Sequence, residues 1–116
     1  MLQVSPGSII YIAKDPINFK WGIDKLVGFC RYVLEAEPMS GVYFIFRNKK
    51  ENQIRILLYD GDGYWLCTKR FSKGRIKTWP MFDNKLSKLD PRDLGVLLWR
   101  GDLSSTLFPK YWHKIT

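Results

Sequence analysis

Residues 41–80 read GVYFIFRNKKENQIRILLYDGDGYWLCTKRFSKGRIKTWP, and this stretch decides the fold. Val42–Arg47, Ile54–Tyr59 and Tyr64–Arg70 are runs of aromatic and β-branched residues, the composition of half-buried strands. Between the second and third runs, Asp60, Gly61, Asp62 and Gly63 supply the residue types that accept positive φ in a tight hairpin. A turn centred on Gly61 and Asp62 sets Leu58 opposite Trp65 and Ile56 opposite Cys67. One face of the resulting meander then carries Tyr43, Ile45, Ile54, Ile56, Leu58, Trp65 and Cys67, the expected seat of a helix. The other carries Phe44, Phe46, Arg55, Leu57, Tyr59, Tyr64, Leu66, Thr68 and Arg70, mixing apolar, aromatic and basic groups. Residues 75–79 are expected to add a fourth strand, ended by Pro80.

Outward from this block, residues 8–13 (SIIYIA) predict a short strand after the Pro6-Gly7 turn. Ile23, Leu26, Val27, Cys30, Val33 and Leu34 recur at three- and four-residue steps, predicting a long amphipathic helix over 19–37 that Pro38 and Gly41 terminate. Residues 83–88 read as a polar connection. Asp90 is a candidate N-cap with Pro91 behind it, opening a short helix over 90–100 that Gly101 closes. An aromatic tail follows over 102–116. The expected architecture is a single α+β domain over 1–116. It is an antiparallel β-meander sheet of four to five strands with one long N-terminal and one short C-terminal helix.

The chain of 116 residues holds 19 basic and 11 acidic side chains, a formal charge of +8. Nine cations (Arg47, Lys49, Lys50, Arg55, Lys69, Arg70, Lys73, Arg75, Lys77) and three acids (Glu51, Asp60, Asp62) lie between 47 and 77. Most of the excess charge is therefore in one stretch, a distribution that attracts phosphate-bearing partners and releases counterions on binding. Basic strand ends also protect sheet edges from aggregation. Arg47, Lys49, Lys50, Lys69, Arg70, Lys73, Arg75 and Lys77 are the candidate nucleic-acid contacts. Phe44, Phe46, Tyr59 and Tyr64 are the candidate protein-interaction face.

Catalytic signatures are not found. The glycines of the Asp-Gly turn join two strands and open no helix, so they form no phosphate loop. His113 has no Cys, Ser or Asp motif beside it. Asp24, Asp60 and either Asp83 or Asp90 would have to converge to serve a metal-dependent nuclease, and the flanking glycines make Asp60 and Asp62 read as turn residues. Cys30 and Cys67 have no CxxC neighbour and read as buried thiols of a reducing compartment. No enzymatic activity, cofactor or metal is expected. The N-terminus lacks a basic start followed by an apolar run, and no stretch approaches a membrane span of ~20 apolar residues. A soluble, cytoplasmic protein with no membrane partner is expected; its oligomeric state is left open.

The block also resembles a known family. Gly41, Phe44, Phe46 and Arg47 are followed by Ile54, Arg55, Tyr59, Asp60, Gly61 and Gly63, then Lys69, Arg70, Gly74, Arg75, Trp79 and Pro80. This order is similar to that of the TnpB accessory proteins of insertion-sequence family 66, short basic proteins encoded beside a transposase, and the likeness extends from Ile10 to Leu103. The resemblance implies an accessory factor of DNA transposition, with DNA and a separate DDE-type transposase as partners. An adaptor that recruits the transposase with little DNA contact is the alternative, and a metal-dependent nuclease a more distant one.

Overall fold

The computed structural model describes residues 5–80, 82–100 and 112–114, the side chains of Arg100 and of 112–114 excepted. Five strands form the main sheet: β1 (Ile10–Ala13), β2 (Tyr43–Arg47), β3 (Gln53–Tyr59), β4 (Tyr64–Arg70) and β6 (Leu86–Leu89). Their spatial order is β4-β3-β2-β1-β6. A second, two-stranded ribbon pairs β5 (Thr78–Pro80) with β7 (Trp112–Lys114). Helices α1 (Ile23–Tyr32) and α2 (Pro91–Arg100) complete the fold with a short 3-10 turn at Pro38–Ser40.

The fold is α+β, but the sheet is mixed, not purely antiparallel. β1 and β2 run parallel, with Ile10, Tyr11 and Ile12 beside Tyr43, Phe44 and Ile45. Parallel neighbours cannot be joined by a hairpin, and α1 provides the crossover between them. β6 occupies part of the stretch expected to be a polar connection, pairing antiparallel to β1 from Ile10↔Leu89 to Ala13↔Leu86. Nor does the 75–79 stretch extend the meander: its last residues belong to the separate β5–β7 ribbon.

The hairpin register is the one the Asp-Gly turn dictates, with Leu58↔Trp65 and Ile56↔Cys67. Asp60 Oδ1 accepts from the backbone N–H of Asp62 and of Gly63, each at 2.9 Å, and Oδ2 accepts from Trp65 Nε1 at 2.7 Å. Gly61 takes φ +95°, a value a β-carbon disfavours. These donors hold the Asp60 carboxyl below its ordinary range, the Asp62 N–H contributing most.

The expected seat of the helix is reversed. Leu26, Val27 and Cys30 of α1 pack on Phe44, Phe46 and Leu57, whereas α2 covers the Tyr43, Ile45, Ile54 and Ile56 face with Leu94 and Leu97. With helices on both faces, four of the five β2 residues are buried, as a strand between two layers must be.

The helices are also not one long and one short: each has ten residues. α1 begins late because Asn18 holds the preceding chain in a turn. Its Oδ1 accepts from Lys20 N at 2.9 Å, and its carbonyl from Trp21 N at 3.1 Å. The helix ends early because Glu35 adopts φ +55°. The Phe29 and Cys30 carbonyls then accept from Leu34 and Ala36 at 3.1 and 2.9 Å, which satisfies the end of the helix. Asp90 caps α2 as its sequence position suggests, Oδ1 accepting from Arg92 N at 2.8 Å. The aromatic tail lies outside the described residues apart from β7. Among the described residues, no helix is long and apolar enough to cross a membrane.

Candidate nucleic-acid interface

Asn48, only 7% exposed, organises the loop between β2 and β3. Its Oδ1 accepts from the backbone N–H of Asn52 and of Gln53 at 3.0 Å each, and its Nδ2 donates to Asn52 Oδ1 at 2.7 Å. A loop held this way presents Lys49 and Lys50 on a fixed frame, and both are exposed. The segment that leaves β4 returns to this loop: Phe71 N donates to Asn52 O at 2.9 Å, and Ile76 N to Glu51 O at 2.6 Å. Ile76 is fully buried and Thr78 nearly so, while Arg75 and Lys77 alternate with them on the exposed side. Gly74, at φ +72°, makes the bend between.

Two basic loops far apart in sequence are thereby tied to one end of the sheet. Lys49, Lys50, Arg70, Lys73, Arg75 and Lys77 are all exposed there. Glu51 is the one acid within 47–55 and 69–78, and it is engaged by Arg47 at 3.6 Å. Neither of the two ion pairs among the described residues involves any of those six cations.

Two other predicted contacts are committed to the fold. Arg47 is half-buried; its Nη2 donates to Lys14 O at 3.0 Å, and its guanidinium lies 5.3 Å from the Trp79 ring centroid. Burial pulls Arg47 below its ordinary pKa, opposed by Glu51 and Asp15. Lys69 reaches over the opposite face, where Nζ donates to the Leu98 carbonyl in the last turn of α2 beside the Phe71 and Trp99 rings. A cation there satisfies a helix-end carbonyl and opposes the helix dipole.

Lys20, which sequence reasoning passed over, joins the site. Ile17 N donates to Arg47 O at 3.0 Å, and Ile17 bridges to Asn48, so the 17–20 loop lies against the β2–β3 loop. Between them runs an open cleft of about 510 Å³ lined by Lys20, Lys49, Lys50 and Arg55, with Asn18, Asn48 and Gln53. Its lining holds no carboxylate. Arg55 is fixed in its wall by Thr68 Oγ1 at 2.8 Å and the Phe19 carbonyl at 2.7 Å, its guanidinium 4.3 Å from the Phe19 ring centroid. No local pattern marks Lys20, because a backbone bridge 30 residues long in sequence brings it here.

The predicted interaction face is not an open surface. Phe44 and Phe46 are 1% and 0% exposed beneath α1. Tyr59 and Tyr64, their centroids 5.0 Å apart, are half-buried. Among the described residues, no three His, Cys, Asp or Glu side chains converge to hold a metal ion.

Residues 8–106 match the family described as IS66 Orf2 like protein. The chain is 32% identical over 98 residues to the uncharacterized protein y4jC of Sinorhizobium fredii (strain NBRC 101917 / NGR234), covering 84% of this chain and 83% of the relative. It is 30% identical over 98 residues to the uncharacterized protein y4hO of the same strain, covering 84% of each. No solved structure matches the chain. The chain therefore belongs to the IS66 Orf2-like family, the transposition-associated accessory proteins of that insertion-sequence group.

Proposed function

We propose that the protein binds DNA without catalysing strand chemistry and assists a separate transposase of its element. The observation that carries this reading is the junction of the two basic loops through Phe71–Asn52 and Ile76–Glu51. That junction gathers Lys49, Lys50, Arg70, Lys73, Arg75 and Lys77 at one end of the sheet, with the Lys20–Arg55 cleft beside them. Exposed cations on a rigid frame hold phosphates and supply affinity; phosphate contacts set position and carry no base sequence. Specificity for the element's ends then comes from the transposase or from DNA shape.

Fluorescence anisotropy with the terminal inverted repeat and a scrambled duplex over a salt series tests this. A steep salt slope with similar affinity for both duplexes is the expected result. Absence of binding at low salt, together with capture of the transposase, would replace this reading with the adaptor.

A further inference from the structure

A second cavity adjoins the basic cleft. It measures about 280 Å³, and its walls are Ile17, Trp21, Phe29, Val33 and Leu34 between the 13–21 segment and α1. Ile17, Asn18 and Lys49 line both cavities, so the two together make a depression with a cationic half and an apolar half. Asp15 and Lys85 border the apolar half. Trp21 and Phe29 meet at 5.2 Å between centroids, tilted by 57°, and form a preset aromatic wall. The loop carrying Trp21 is held by the two Asn18 hydrogen bonds that delay α1. The socket therefore exists before a ligand arrives, which lowers the ordering cost of binding.

We infer that this depression takes an unpaired nucleotide of single-stranded DNA, its base in the Trp21–Phe29 pocket and its flanking phosphates on Lys20, Lys49 and Lys50. The inference rests on the DNA-binding reading above and names the strand form that this part of the site prefers. Three features select the occupant. The pocket falls just below the ~300–1,000 Å³ of drug-sized sites, which suits one heterocycle and not a larger ligand. Its apolar, aromatic lining matches a π-face common to all bases, so recognition tolerates sequence. The carboxylate-free cationic cleft beside it matches the phosphates on either side of that base. In a duplex each base is paired and stacked, so a duplex can use the cleft but not the pocket.

The test is anisotropy with three labelled ligands of equal length: an oligothymidylate strand, a duplex, and a strand with abasic sites at its centre. The expected result is that the intact strand binds about tenfold more tightly than either other ligand, the scale of one stacked base. Trp21→Ala, and separately the neutral Val33→Gln at an exposed position of the pocket wall, should remove that advantage while duplex affinity stays unchanged. Val33→Gln keeps the test valid if Trp21→Ala does not fold. Equal binding of intact strand, abasic strand and duplex would overturn this inference and leave the phosphate-binding reading standing. Binding of none of the three at low salt would overturn both.

Discussion

The indole Nε1 of Trp79 donates a 2.8 Å hydrogen bond to the carbonyl oxygen of Ala13, across 66 residues of sequence. Trp79 is 1% and Ala13 2% exposed, so neither group can turn to water instead. The bond ties β5 to the end of β1, and the Arg47 guanidinium covers the same ring. Trp79→Phe keeps most of the apolar contact but leaves the Ala13 carbonyl unpaired, an expected loss of about 1–3 kcal/mol. Trp79→Ala removes the ring as well, an expected loss of about 3–5 kcal/mol. Urea denaturation of both variants checks the order.

Lys73, Arg75 and Lys77 project from the returning loop, whereas Lys69 caps α2. Replacing the first three with Ala should weaken DNA binding on every sequence. The slope of log affinity against log salt should fall by about three, at ~0.9 per lost phosphate contact. The melting temperature should barely move. Lys69→Ala is expected to do the reverse, lowering thermal stability with little change of slope. A salt titration paired with thermal melts separates the two roles.

Asn48 accepts two backbone N–H groups and donates to Asn52 from a buried position. Asn48→Ala should cost about 1–3 kcal/mol by leaving those groups unpaired. Asn48→Asp keeps the acceptor oxygen but loses the donor to Asn52, and it should destabilise less at the backbone while placing an acid in the cleft. Its DNA affinity should therefore fall further than its stability. Denaturation and anisotropy on the same samples distinguish the two.

Burial pushes the Cys30 thiol up from 9.0 to about 12, with nearby Arg31 opposing the shift. Below about pH 9 the thiol is neutral in both folded and unfolded chains. Above it the unfolded chain ionises first, so stability falls as pH rises from about 9 to about 12. Cys30→Ala should flatten this decline. In the native state at pH 8, maleimide should modify the half-buried Cys67 and spare Cys30. Mass spectrometry before and after denaturation reads this directly.

Several features are legible locally. Asp60 and its glycines set the β3–β4 register, because a side chain that caps two N–H groups two and three residues ahead needs nothing from the rest of the fold. The alternation of Tyr43 and Ile45 against Phe44 and Phe46 follows from the period of a strand. Asp90 caps α2 for the same local reason. The concentration of cations between 47 and 77 is a property of the chain itself.

Tertiary structure decided the rest. Strand period divides residues into two faces but does not say which helix meets which face; α1 lies over Phe44 and Phe46 because it is the crossover between parallel β1 and β2. Leu86–Leu89 has little strand signal of its own and becomes β6 because β1 presents an unpaired edge. The roles of the cations divide the same way. Lys69 and Lys73 are four residues apart, yet one bonds to the Leu98 carbonyl and the other stands in solvent. Lys20 enters the cleft only through the Ile17–Arg47 backbone bond. Local chemistry is written in neighbouring residues, whereas the meeting of distant loops depends on which surfaces the whole chain can bury together.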